Sequence, residues 1–253
     1  MDDSQKIQAE QYSFPYHFLP VFEEGRTRLT QQWNWAPSYL AALQLITAWM
    51  QRTVPNGQRW EHIDIGCGDG ALLYHLEARF RASADIGWTG VDYDAGAIRW
   101  AQMFGGDRIR YLADDIGRMP ADSYDSATLI EVAEHIPPDQ LDAFAEKIVH
   151  VLKPGGRLVV TVPHRNKTVQ PKHFQHFSFE GLRKVFEPRL ELESIGGFGR
   201  HSRLSRLLQR LIINRTYVFT YAPLTETVLS RLRQVHRTEE GVARIFAEFR
   251  KPA

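Results

Sequence analysis

Two stretches and one loop of this 253-residue chain combine residue types and spacing that could do chemistry. The loop is Ile63-Asp64-Ile65-Gly66-Cys67-Gly68-Asp69-Gly70, whose glycines allow a tight turn and a close approach of backbone to a ligand. The stretches are Glu131-Val132-Ala133-Glu134-His135 and Lys172-His173-Phe174-Gln175-His176-Phe177-Ser178-Phe179-Glu180. Carboxylates and imidazoles in such groups can take a proton from an alcohol or phenol, or hold a divalent metal through mixed nitrogen and oxygen donors. Cys67 reads as a small residue in a crowded loop, because no dedicated base stands next to it in the sequence.

The glycine spacing is Gly-x-Gly-x-Gly, whereas a dinucleotide pyrophosphate on a helix N-terminus calls for Gly-x-Gly-x-x-Gly. Asp64 would repel a pyrophosphate and attract a cation. Asp92, at the end of the next strand candidate, can accept from both hydroxyls of a ribose. A ligand with a ribose, a positive charge and no phosphate describes S-adenosylmethionine. Taken singly, the loop could be only a tight strand-to-helix connection, and Asp92 only an N-cap for the helix starting near Ala95. Their joint occurrence at successive strand ends favours a ligand.

The elements that must position these residues follow from the pattern. Short apolar runs at 61–66, 87–92, 108–112, 124–130 and 156–162 alternate with helical stretches at 71–81, 95–104, 138–152 and 178–186. Such alternation predicts an α/β unit with a parallel sheet and crossover helices. Lys153-Pro154-Gly155-Gly156 reads as a helix stop. Segments 190–195 and 243–249 alternate as strands. The expected organisation is an N-terminal cap over 1–57, a core over 58–199 and 238–253, and a helical insertion over 200–237.

In this setting the chain resembles the Rossmann-like class of S-adenosylmethionine-dependent methyltransferases, over about 60–186 and again in the terminal strand pair. The resemblance implies a mostly parallel sheet with an antiparallel last strand. It implies that Asp64, Gly66, Cys67 and Gly68 face the amino-acid end of the cofactor, that Asp92 holds the ribose and that Tyr93 flanks the adenine. Ala113-Asp114-Asp115-Ile116 is similar to the motif at the adenine edge, with Asp115 accepting from the exocyclic amine and Ile116 covering the ring. Glu131 would line the methionine side, and His135, His176 and Glu134 become the candidate catalytic groups.

Glu131, Glu134, His135 and His176 also match the metal ligands of the small-RNA 3′-end 2′-O-methyltransferases, which the second stretch resembles locally. That family's aspartate and tryptophan positions are Gln175 and Gly181 here, so a pocket with no required metal is the expectation and the RNA enzyme the alternative. A cofactor-binding regulatory protein without turnover is the reading from outside enzymology.

The flanks bear on the acceptor. Methyl transfer needs the reacting atoms held in line and water excluded, so a lid is expected from the aromatic N-terminus or the insertion. Tyr12-Ser13-Phe14-Pro15-Tyr16-His17-Phe18 and Trp33-Asn34-Trp35 offer flat walls, with Tyr16 and His17 as candidate substrate contacts and Trp49 read as packing. The N-terminal segment is similar, more weakly than the core, to methyltransferases of surface-glycan and specialised-metabolite pathways.

Segment 200–237 carries eight arginines and one acid, Glu226, giving 8 − 1 = +7 within a chain of net +1. Leu204, Leu207, Leu208, Leu211 and Ile212 fall at helical spacing there, with Arg203, Arg206 and Arg210 elsewhere on the wheel. Arg203 and Arg206 are the candidate contacts to an anionic substrate; peripheral membrane contact is a further reading and RNA a less favoured one. Hydrophobic residues at 43% and charged residues at 24% exclude a disordered chain, and one cysteine excludes an internal disulfide framework. No apolar run reaches membrane-spanning length, and the polar start Met1-Asp2-Asp3-Ser4 is unlike a secretory signal, so a cytoplasmic protein is expected.

Overall fold

The computed structural model describes residues 6, 7, 10, 12, 15–18, 36–200, 203–212, 219 and 221–253. Phe14, Trp33 and Trp35 lie outside the described residues, as do the side chains of Tyr16 and Arg203. Helix α1 (Ala36–Thr53) leads into β1 (Trp60–Ile65), α2 (Ala71–Phe80), β2 (Ile86–Asp92), α3 (Ala95–Gly105) and β3 (Ile109–Ala113). Then come β4 (Tyr124–Ile130), α4 (Leu141–Val151), β5 (Leu152–Pro163), α5 (Phe179–Phe186) and β6 (Glu191–Phe198). Helices α6 (Arg203–Ile212) and α7 (Ala222–Leu232) precede β7 (Arg244–Arg250).

Among the described residues these strands form one sheet in the order β3-β2-β1-β4-β5-β7-β6. All neighbours are parallel except β7, which runs antiparallel to β5 and to β6. The order reverses between β1 and β4, and the crevice beyond the strand ends at such a switch point is where α/β sheets bind ligands.

Strand alternation divides the core between two faces. Ile63, Ile65, Ala127 and Leu129 join α4 and α5 on one side, while Trp88, Val159 and Phe246 join α1, α2 and α7 on the other. Trp49 is fully buried in the second cluster, as the packing reading expected. Along β1 and β4 that second face is polar: His62, Asp64, Ser126 and Thr128 are all buried.

Two boundaries differ from the pattern. Pro138 begins a 3-10 turn, Pro138–Gln140, and the α-helix proper starts only at Leu141. Strand β5 starts at Leu152, before the Pro154-Gly155-Gly156 turn: Leu152 pairs with Tyr124, the ladder shifts, and Arg157 pairs with Ser126. The glycine signal for a turn is sound, since Gly155 has φ +75°, but the turn is an irregularity inside the strand. No helix among the described residues is long and apolar enough to cross a membrane.

Candidate functional site

The glycine loop leaves β1 with φ +72° at Gly66 and +54° at Gly68, backbone that favours glycine. A side chain at Gly66 would collide with Val132, and one at Gly68 with the ring of Tyr12. Asp94, through its bonds to the amides of Gly96 and Ala97, is the N-cap of α3. Asp92 is therefore left for the loop: its Oδ2 accepts from Gly68 N at 2.9 Å and its Oδ1 from Asp94 N at 2.9 Å. Each oxygen keeps further lone pairs for a ligand hydroxyl. Burial pushes the Asp92 carboxyl up to about 6.

Asp64 is buried and accepts a 2.6 Å bond from Thr128 Oγ1. Burial pushes it up to about 7, so a cationic ligand beside it would recover charge that the fold suppresses. Behind it runs a buried chain: Trp60 Nε1 donates to Ser126 Oγ, His62 Nδ1 lies 2.8 Å from that oxygen, and His62 Nε2 lies 3.2 Å from Thr128 Oγ1. With the Thr128 proton given to Asp64, the His62 proton sits on Nε2. Cys67 is buried near Asp92, Asp64 and Asp69, and burial with those charges pushes its thiol well up, consistent with a packing residue.

One cleft of about 860 Å³ runs along these strand ends, lined by Asp64, Gly66, Cys67 and Asp92 at the loop and by Glu134, His135 and His173 beyond β4. Tyr93, Asp115 and Ile116 line it too. Asp115, however, already accepts from Lys147 Nζ on both oxygens at 2.9 Å and caps the turn Ile116–Arg118 through Gly117 N at 2.7 Å. An adenine amine would have to share that carboxylate with Lys147.

Glu131 has φ +56°, a backbone setting uncommon for a non-glycine residue and concentrated at functional sites. Its Oε1 accepts from Thr161 Oγ1 at 3.1 Å and its Oε2 from Arg244 Nε at 2.9 Å. The antiparallel register sets Arg244 opposite Pro163 at the cleft end of β5. Glu134, in the 3-10 turn Ala133–His135, is 1% exposed, and its Oε2 has no hydrogen-bond partner among the described residues. Burial first, and Glu131 second, push its carboxyl well up.

The histidine tautomers follow from their partners. His135 Nδ1 lies 2.9 Å from the carbonyl of Lys172, and His176 Nδ1 lies 3.0 Å from the carbonyl of Lys167. A carbonyl only accepts, so both Nδ1 atoms carry the proton. His176 Nε2 then accepts from His173 Nδ1, 2.8 Å away. Among the described residues, the lone pairs left over are the Nε2 atoms of His135 and His173, whose rings meet edge to face at 4.7 Å. One ligand atom from each of Glu134, His135 and His173 lies within 4.8 Å of the others. Burial lowers His135 to about 4 and, with neighbouring cations, His173 to about 3, so both are neutral near pH 7.

This geometry corrects the sequence reading in two places. His176 was expected as a catalytic group, but both its nitrogens are engaged, and the imidazole it presents is His173. The four-ligand set Glu131, Glu134, His135 and His176 is not assembled, because Glu131 is held by Arg244 and Thr161 and the His176 lone pair by His173. Of the N-terminal candidates, His17 lines the cleft, with Nδ1 3.0 Å from Asp69 Oδ1 and its amide donating to Asp69 Oδ2 at 3.1 Å. Arg206 is exposed on α6. Arg244, Thr128 and Thr161 carried no motif; only sheet register brings them to the site.

Residues 63–156 match the methyltransferase domain family. A ubiquinone biosynthesis O-methyltransferase of Bordetella avium is 30% identical over 132 residues, covering 50% of each chain. A sterol 4-C-methyltransferase of Caenorhabditis elegans is 28% identical over 160 residues, 60% of this chain and 42% of that one. The chain spans about half the length of the curated relatives it matches. Among solved structures, the N-methyltransferase NodS of Bradyrhizobium japonicum in complex with S-adenosylhomocysteine superposes with a TM-score of 0.59 at 17% identity, over 89% of this chain and 94% of that one. Over residues 63–156 the chain thus matches the methyltransferase domain family, and its glycine loop and sheet order give it a Rossmann-like fold similar to that of the N-methyltransferase structure.

Proposed function

We propose that this chain transfers the methyl group of S-adenosylmethionine to an oxygen, in preference to a nitrogen, of a small or medium-sized polar acceptor. The observation that carries the reading is the cleft that joins the Asp64 and Asp92 carboxylates to imidazole nitrogens of His135 and His173 that have no hydrogen-bond partner among the described residues. The domain match and the relative named as an O-methyltransferase support it.

Bound S-adenosylmethionine supplies an electrophilic methyl on a sulfonium. Asp92 binds the ribose hydroxyls, Asp64 offers negative charge toward the amino-acid end, and Gly66 and Gly68 let the backbone close in. Tyr93 and Ile116 flank the adenine. As the carbon–oxygen bond forms and the carbon–sulfur bond breaks, the acceptor oxygen becomes strongly acidic. A neutral imidazole of low basicity then suffices to take its proton, and Nε2 of His135 or His173 is the atom in place. His176 is a positioning residue that acts through His173, and Glu134 stands beside both rings. Lys167, pushed down to about 8 by burial, and Arg244 line the acceptor end and suit an anionic or hydroxyl-rich acceptor, phosphate-bearing or sugar-like. In this reading His17, held by Asp69, belongs to the cap over the glycine-loop end of the cleft.

A second reading rests on the three convergent donors. Glu134, His135 and His173 could hold a divalent ion, with the carbonyls of Lys172 and Lys167 fixing the imidazoles as outer partners, directly and through His176. Incubation with labelled cofactor and acceptor pools tests the transfer itself. Metal analysis of the purified protein, with chelation and reconstitution, separates the readings: a proton-acceptor site keeps its activity in chelator, and a metal site loses it until metal is restored. Cofactor binding without any turnover would favour the regulatory protein.

A further inference from the structure

Helix α6 presents an unusual face. Ile212 is buried and Leu208 packs against the core, but Leu204, Leu207 and Leu211 are 47%, 56% and 46% exposed. Spacings of three and four place those leucines in one row along the helix. Arg206 and Arg210 stand exposed in the adjoining row. Beyond the helix, Phe219 N bonds to Ile212 O at 2.6 Å, and the rings of Phe219 and Tyr221, about half exposed, lie 6.2 Å apart.

Both chemistries of this surface matter. A solvated cap helix needs no exposed leucine row, and a polyanion such as RNA gains nothing from one. The arginines sit in a segment of +7 on a chain whose remainder is 1 − 7 = −6, so the positive field is local to this insertion. Leucines and aromatics beside arginines on one helix are the makings of an element that lies in a bilayer interface, its apolar side chains in the acyl boundary and its cations at anionic headgroups. Placement agrees. The insertion leaves the sheet at the end of β6, on the same edge as the cleft, and returns at Arg244, which holds Glu131.

We propose that the face formed by Leu204, Leu207, Leu211, Phe219 and Tyr221, with Arg206 and Arg210, docks on an anionic lipid bilayer. The partner is the lipid surface, with headgroup phosphates opposite the arginines. The inference concerns this surface and does not depend on which acceptor the cleft takes.

The test is co-sedimentation of the full chain with vesicles of phosphatidylcholine alone and of phosphatidylcholine with phosphatidylglycerol. Binding is expected to the second kind and to fall with added salt. Leu207→Asp with Leu211→Asp should abolish it, while each of Arg206→Gln and Arg210→Gln should weaken it roughly fivefold. Adenosylhomocysteine affinity should stay unchanged in all of these, which shows that they fold. A second probe places an environment-sensitive dye on Leu207→Cys, since Cys67 is buried and does not compete; its emission should shift to the blue on anionic vesicles. The proposal is overturned if neither vesicle binds the parent chain, if the aspartate variants bind as well as the parent, or if the dye stays in water. It is equally overturned if RNA binds and vesicles do not, or if the leucines instead hold two copies of the chain together in lipid-free solution.

Discussion

With the Nδ1 protons of His135 and His176 held by main-chain carbonyls, the proposed proton transfer would fall to the Nε2 lone pairs of His135 and His173, beside the buried Glu134 carboxylate. Removing both lone pairs in His135→Ala/His173→Ala should lower turnover by roughly 10²- to 10⁴-fold with adenosylhomocysteine affinity nearly intact. His176→Ala should cost less, because it frees the His173 ring without removing its nitrogen. Loss of cofactor affinity in the double variant would instead make these side chains part of the cofactor site. The pH dependence belongs to other residues. Burial holds the histidines near 4 and 3, so they stay neutral above about pH 5, whereas Asp92 and Asp64 titrate near 6 and 7 in the free protein. Cofactor affinity should therefore rise as pH increases through 6 to 7, read by calorimetry at several pH values. Stability responds with the opposite sign. Asp64 has a folded value of about 7 against an unfolded value of about 4, so its ionisation opposes folding as pH rises between them. Asp64→Asn should raise the melting temperature by an amount that grows from about pH 4 to 7 and then levels, while weakening cofactor binding; a gain independent of pH would show that burial does not suppress its charge.

Elements explain what was legible. The glycine loop, the strand ends and the helix start at Ser178 are local signals, because each depends on a turn or a cap within a few residues. Ser178 does accept from Gly181 N, at 3.0 Å. Asp92 stood between two roles until the next turn was visible: Asp94 caps α3, which leaves Asp92 to the cleft. The setting of His173 could not be recognised, since its ring is held by His176, itself held by the carbonyl of Lys167, contacts that depend on the path of the loop after β5. Arg244 and Thr161 were hidden for a similar reason, register between distant strands. The amphipathic spacing of α6 was readable, but which leucines meet the core was not: tertiary packing engages Leu208 and Ile212 and leaves the other three in solvent. At this scale the loop is testable. Gly68→Val would drive a side chain into Tyr12 at a positive φ, so cofactor binding should be lost; unchanged affinity would remove the loop from the site.

Across the whole molecule, the switch point between β1 and β4 gathers residues from nearly the full length of the chain. His17 reaches Asp69 of the glycine loop, Trp100 Nε1 holds the carbonyl of Tyr12 at 2.8 Å, and Phe18 stacks on Phe104 with centroids 4.2 Å apart. Tyr12, His17 and Phe18 are thereby fastened beside the loop that would receive the cofactor. His17→Ala should raise the Michaelis constant for S-adenosylmethionine more than it lowers turnover; an effect on turnover alone would place His17 with the acceptor. In the proposed function this cleft binds S-adenosylmethionine through its ribose and its amino-acid end. The most direct test is calorimetric titration of S-adenosylhomocysteine into the parent chain and Asp92→Ala above pH 7. One site per chain is expected, weakened by about 1–3 kcal/mol in the variant, the cost of lost charge-assisted hydrogen bonds. Binding of NAD with none of adenosylhomocysteine, or equal affinity in both proteins, would contradict it.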